Sequence, residues 1–280
     1  MLNWICPLDY GSQQSDFFAQ REDGTGQWLL DSDEFQKWLH GFKETLFGEG
    51  IPGAGKTIMM SLVIHHLQTK FHDDDDVGLA YIYCNFRQQY DQTRISLFAS
   101  LLKQLCQQQP HLLESVDEVY KQHLKDHTTL TLEEILHILC VVIKTYRRVF
   151  IVVDAVDEIR SSDGTRSGFI SGIFDLQKAT GINIFVTSRF DADVSRTFKD
   201  NESSFLEIRA LDDDLRTYID GQVEALPRFI SENAELKRQI KERIVEAVDG
   251  MLDPHSFPTL ITPFTACAHS QTDSYWPSFI

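Results

Sequence analysis

From Gly50 to Thr57 the chain reads Gly-Ile-Pro-Gly-Ala-Gly-Lys-Thr, a complete GxxxxGK[ST] pattern. Each residue type in it answers to a phosphate. Glycines let the backbone turn its N–H groups toward an anion, and the start of a following helix adds positive potential. The Lys56 ammonium would neutralise the β and γ phosphates, and the Thr57 hydroxyl is a hard oxygen ligand for Mg2+. The expected nucleotide contacts are Gly50, Ile51, Pro52, Gly53, Ala54, Gly55, Lys56, Thr57 and Ile58.

A second constellation is Arg147-Arg-Val-Phe-Ile-Val-Val-Asp154-Ala-Val-Asp157-Glu158. An apolar run that ends in an acid delivers that acid to a sheet edge, where Asp154 would hold Mg2+ opposite Thr57. Asp157 and Glu158 are placed to orient or deprotonate an attacking water. A third apolar run ends in Thr187-Ser188-Arg189, whose arginine could read a γ-phosphate through bidentate contacts. Read alone, acids after an apolar run mark a helix start, and a lone arginine marks a surface ion pair. The upstream glycine loop shifts both readings toward chemistry.

Other patterns carry less. Gly48-Glu-Gly50-Ile-Pro-Gly53 also fits GxGxxG, with acids near Asp73, but these acids precede the second strand, and a dinucleotide site would leave Lys56 and Thr57 without a role. His123 and His127 stand four apart, as zinc ligands do, yet Leu124 occupies the place where HExxH needs its glutamate. No GxSxG occurs.

The elements that must position these groups follow from periodicity. Strands are expected at Thr45–Gly48, Leu79–Asn85, Val149–Val153, Ile182–Val186 and, more weakly, Phe205–Ile208. Before the first lies a helical spacing of Phe35, Trp38, Leu39 and Phe42, and between the strands lie others, beginning with Lys56 to Phe71, apolar on nearly every face. Thr131 to Glu134 forms a capping box before another helix. Continuous apolar strands alternating with helices indicate a three-layer α/β fold with a parallel sheet, whose ligands bind at the carboxyl ends of the strands. Residues 1–24 read as an extended or loosely helical lead-in, 25–210 as the nucleotide domain, 211–251 as a small helical subdomain and 252–280 as an irregular tail.

With 280 residues, 26 Lys+Arg and 42 Asp+Glu, the net charge is −16, which argues against a nucleic-acid partner. Five scattered cysteines without a CxxC pair read as reduced thiols. The N-terminus has no signal-peptide pattern, and no apolar stretch approaches the roughly 20 residues of a membrane span. The expected location is intracellular and cytoplasmic.

The motifs together resemble the NACHT subgroup of STAND P-loop NTPases. Gly24-Thr-Gly-Gln-Trp28-Leu-Leu and Phe35-Gln-Lys-Trp38-Leu make the likeness to nephrocystin-like N-terminal NACHT modules of fungal repeat proteins, over residues 1–251. The resemblance implies a sheet order of 2-3-4-1-5, Mg2+ with ATP or GTP, a conformational switch in signalling, and self-association or pairing with related NACHT proteins. Small Ala155 stands where many related ATPases carry a catalytic glutamate, consistent with slow turnover. Past Met251 the sequence departs from the family's continuing helices and winged-helix domain. A slow NTPase and a truncated, non-hydrolysing nucleotide-binding interaction module therefore both remain open. A small-molecule kinase fits less well, for want of an Arg/Lys-rich lid.

Overall fold

The computed structural model describes residues 2–109, 112–224, 234–235 and 237–239. Four helices, α1 (Leu2–Ile5), α2 (Gly11–Ala19), α3 (Gln27–Asp31) and α4 (Asp33–His40), precede β1 (Thr45–Glu49), and α5 (Lys56–Lys70) leads to β2 (Val77–Tyr83). Helices α6 (Arg94–Gln108), α7 (Leu112–Asp126) and α8 (Leu132–Ile143) lead to β3 (Arg148–Asp154). Then come α9 (Thr165–Thr180), β4 (Asn183–Ser188), α10 (Ala192–Asp200), β5 (Ser204–Glu207) and α11 (Asp212–Glu224).

The five strands form one sheet in the order β2-β3-β4-β1-β5, with every pair parallel, as the resemblance implied. Each parallel step requires a crossover, and the helices supply it. Strand β3 is buried from Val149 to Asp154 and all of β4 is buried, so both faces of the central sheet are covered. Phe150, Ile151, Val152, Ile184 and Phe185 have no accessible surface, and burying side chains of this size stabilises by about 1.5–3 kcal/mol each. Helix α2 packs on α5, and α6 packs on β2, α8 and α9.

Local chemistry explains where elements start and stop. Ser32 caps α4 by accepting from the Phe35 N–H at 3.2 Å. At α8 the capping box is complete: the Thr131 hydroxyl accepts from the Glu134 N–H at 3.3 Å, and the Glu134 carboxylate accepts from the Thr131 N–H at 2.8 Å. Three expectations need correction. Residues 11–19 are a regular helix, part of the expected lead-in. Phe42 is not on α4, because the helix ends at His40 and Gly41 turns the chain, leaving Phe42 exposed. His127 is past the end of α7 in a left-handed conformation, φ 53°, so it does not share a helix face with His123. His123 bonds instead to Thr128 and Glu134.

By contacts the chain divides into two units: Met1–Arg21, Gly26–Ile51 and Lys56–Ile208, which hold the sheet, and Glu22–Thr25, Pro52–Gly55 and Arg209–Ile280. In the second, α11 buries Leu215 and Ile219. Its Gly221 lies so close to Glu22 that a Cβ there would come within 2.3 Å of the carboxylate. The expected helices around Leu236, Ile240, Ile244 and Val245, and the tail 252–280, lie outside the described residues. Among the described residues no helix is long and apolar enough to cross a membrane.

Candidate functional site

Three strands end at one edge of the sheet, and each delivers a polar group. β1 runs into the glycine loop, where Gly53 and Gly55 adopt φ 77° and 82°, conformations that favour glycine. Helix α5 begins at once with Lys56 and Thr57. The Lys56 ammonium donates to the carbonyls of Gly50 at 2.7 Å and Ile51 at 2.9 Å. Burial lowers its pKa, with Asp154 and Asp157 pulling the other way.

β3 ends in Asp154, only 3% exposed. Its Oδ2 accepts from the Thr57 hydroxyl at 2.7 Å and its Oδ1 from the Thr187 hydroxyl at 2.6 Å. Burial raises the Asp154 pKa, and the two hydroxyl bonds and Lys56 oppose that shift. The glycine loop and the acid that follows an apolar run, about a hundred residues apart in sequence, are therefore in direct contact.

Beyond Asp154 the chain turns sharply. Ala155 has φ 52° and ψ 51°, and a single 3-10 turn, Val156–Glu158, follows. This turn carries both remaining acids. The Asp157 carboxylate receives the Arg189 backbone N–H at 3.0 Å and Arg189 Nε at 2.6 Å. The Asp157 side chain is 7% exposed against 49% for Arg189, and the pairing raises the arginine's pKa. Glu158 Oε2 accepts from the Phe86 N–H at 3.1 Å, while its Oε1 lies 3.9 Å from an Arg189 Nη. The two acids thus tie the chain after β2 to the chain after β4, across the end of β3.

One participant escapes the sequence reading. Thr187 is wholly buried, and its hydroxyl bonds both Asp154 and the Ala155 N–H, the latter at 2.9 Å. A hydroxyl residue directly after an apolar run, at the same depth as the acid of a neighbouring run, was the available signal. The register that makes them neighbours pairs Val153 with Val186, one step earlier.

The donor set fits a magnesium ion. Thr57 and Asp154 offer hard oxygens 2.7 Å apart. Mg2+ commonly takes one or two protein oxygens, with water and substrate phosphates completing its shell.

The profile of the nephrocystin 3 N-terminal family matches residues 24–189, which takes in the glycine loop, Asp154 and Arg189. No curated protein matches the sequence. Solved structures share the architecture. A Walker-type ATPase of Pyrococcus abyssi aligns at 14% identity and TM-score 0.51, over 90% of this chain and 74% of that one. C. elegans PCH-2 aligns at 11% identity and TM-score 0.42, over 94% of this chain, which spans 63% of the PCH-2 chain. The Aeropyrum pernix ORC1 protein in complex with DNA aligns at 14% identity and TM-score 0.44, over 90% and 65%. The fold is that of P-loop ATPases. The exclusion of a nucleic acid on charge is withdrawn. The net charge of −16 is a whole-chain sum and does not describe a local surface.

Proposed function

We propose that this chain, which belongs to the nephrocystin 3 N-terminal family, binds Mg2+ with ATP or GTP at the carboxyl edge of its sheet and acts as a slow, NACHT-type signalling switch. The observation that carries this reading is the 2.7 Å hydrogen bond from Thr57 to Asp154, which joins the two halves of a magnesium site. Lys56 and the backbone N–H groups of the loop after Pro52, up to Ile58, would hold the phosphates, and Thr57 and Asp154 would hold the metal. When bound, Mg2+ neutralises charge on the β- and γ-phosphate oxygens. Asp157 holds Arg189 at both its backbone and its Nε, leaving the Nη groups to meet a γ-phosphate. Glu158 is the acid left to position water.

A non-hydrolysing binder is the second reading. It is favoured by the engagement of both acids, Asp157 with Arg189 and Glu158 with the Phe86 N–H. Turnover that is measurable and lost in Glu158→Gln would decide for hydrolysis, and nucleotide retained without turnover would decide against it.

The test of binding is thermal. Nucleotide at about 100 times its Kd with Mg2+ stabilises by roughly 2.7 kcal/mol, a rise of roughly 5–10 °C for a domain of this size. Lys56→Ala should abolish the rise. Wild-type melting unchanged by either nucleotide would sink the reading.

A further inference from the structure

We propose that Thr187 is a positioning residue for the metal ligand Asp154, setting the angle at which the carboxylate meets Thr57 and Mg2+. The inference rests on the magnesium-nucleotide reading above and adds to it a residue on a different strand.

Hydrogen-bond polarity carries the argument. A peptide N–H can only donate, so the Ala155 N–H, 2.9 Å from Thr187 Oγ1, occupies a lone pair of that oxygen. The hydroxyl proton is then left for Asp154 Oδ1 at 2.6 Å. Thr187 is thus an oriented donor with no freedom to rotate to another partner. It grips the residue after Asp154 by the backbone and Asp154 itself by the side chain. Between these two bonds the chain passes into the left-handed turn at Ala155, φ 52°, a conformation that non-glycine residues adopt only when their surroundings hold them there.

The site is built to keep Thr187 fixed. It has no accessible surface, and its partner on the neighbouring strand is Gly48. With Oδ1 held by Thr187, Oδ2 is the oxygen turned to Thr57 at 2.7 Å. A group that hydrogen-bonds a ligating carboxylate from behind fixes its orientation, and loss of such a group commonly costs 10–100-fold in metal affinity.

A buried threonine that only satisfied its own hydrogen bonds would affect stability and nothing else. The experiment therefore separates metal from nucleotide. ATP and GTP are each titrated calorimetrically into wild type, Thr187→Val and Thr187→Ser, in EDTA and over a series of Mg2+ concentrations, with the melting temperature of each protein recorded. In Thr187→Val the Mg2+ concentration for half-maximal enhancement of nucleotide affinity should rise about 10–100-fold, with the loss confined to the Mg2+ arm. Thr187→Ser keeps the hydroxyl and should restore the wild-type Mg2+ response even if its melting temperature falls. A folded Thr187→Val with the wild-type Mg2+ dependence would overturn the inference. So would a Thr187→Ser that loses the response, which would make the methyl group the part that matters. Wild type that binds nucleotide equally well in EDTA and Mg2+ overturns the positioning role while nucleotide binding stands. Wild type that binds no nucleotide in either medium overturns the functional reading and this inference together.

Discussion

The two edges of the sheet are both lined with polar side chains, yet they use them differently. At the edge where strands begin, side chains bond mainly to backbone. The Arg148 guanidinium donates to the carbonyls of Leu39 and His40, each at 2.9 Å, and to Gly41. Asn183 Nδ2 donates to the carbonyls of Trp38 at 2.6 Å and Gly41 at 3.0 Å, and its Oδ1 accepts from the Glu44 N–H. These groups satisfy the carbonyls left over at the end of α4, as a helix C-terminus requires. At the opposite edge, side chains also bond to one another: Thr57 and Thr187 to Asp154, and Arg189 to Asp157. A polar group that fastens one element to the backbone of another serves the fold, whereas Lys56 bonds only carbonyls of its own loop. A charged group held by another side chain, with oxygens or Nη groups to spare, is available to a ligand.

That contrast predicts separable losses. The largest effect should come from Lys56→Ala, which removes the cation expected to meet the phosphates. Nucleotide affinity should fall more than 100-fold by calorimetry, about 2.7 kcal/mol or more, with melting changed little because Lys56 donates only to carbonyls of its own loop. Next comes Asn183→Ala at the other edge. It strands buried backbone groups and should cost about 2–3 kcal/mol of unfolding free energy in a urea titration, while per-molecule nucleotide affinity stays intact. If Asn183→Ala weakens nucleotide binding in the folded protein, the two edges are coupled and the contrast fails.

Asp157→Asn should have a smaller, mixed effect. The asparagine still accepts the Arg189 N–H, but the charged bond to Nε is lost. Nucleotide affinity should drop several-fold in Mg2+, and stability by about 1 kcal/mol. An unchanged affinity would remove Arg189 from the binding reading.

The smallest effect concerns His66, on the helix that connects the two edges, about 14 Å along α5 from Thr57 by helical rise. Burial first, then Lys70 and His65, lowers the His66 pKa from its ordinary 6.5, and its buried Nε2 has no hydrogen-bond partner. The folded chain therefore loses this proton at a pH where the unfolded chain still binds it. This contribution to stability is complete above pH 6.5 and is lost as pH falls through the lower folded value. Melting measured from pH 8 to pH 5 should show that slope in wild type and a shallower one in His66→Gln, with nucleotide affinity at pH 8 the same in both.

Sequence reading located this architecture because its signals are local. A glycine loop before an apolar helix and an acid closing an apolar run are legible in windows of about ten residues, and so were the five strands and the Thr131 capping box. What it missed depends on strand neighbours. Thr187 meets Asp154 only because β3 and β4 are adjacent, and Asp157 meets Arg189 for the same reason. Nothing in the segments around Arg148 and Asn183 reveals the helix end above them. Phe42 continued a helical spacing that Gly41 had already ended.

The most direct test of the account is a calorimetric titration of nucleotide-stripped wild-type protein with ATP and with GTP in Mg2+. The account predicts saturable binding of at least one of them near one per chain, absent in Lys56→Ala. No saturable binding of either nucleotide by folded wild-type protein would contradict it.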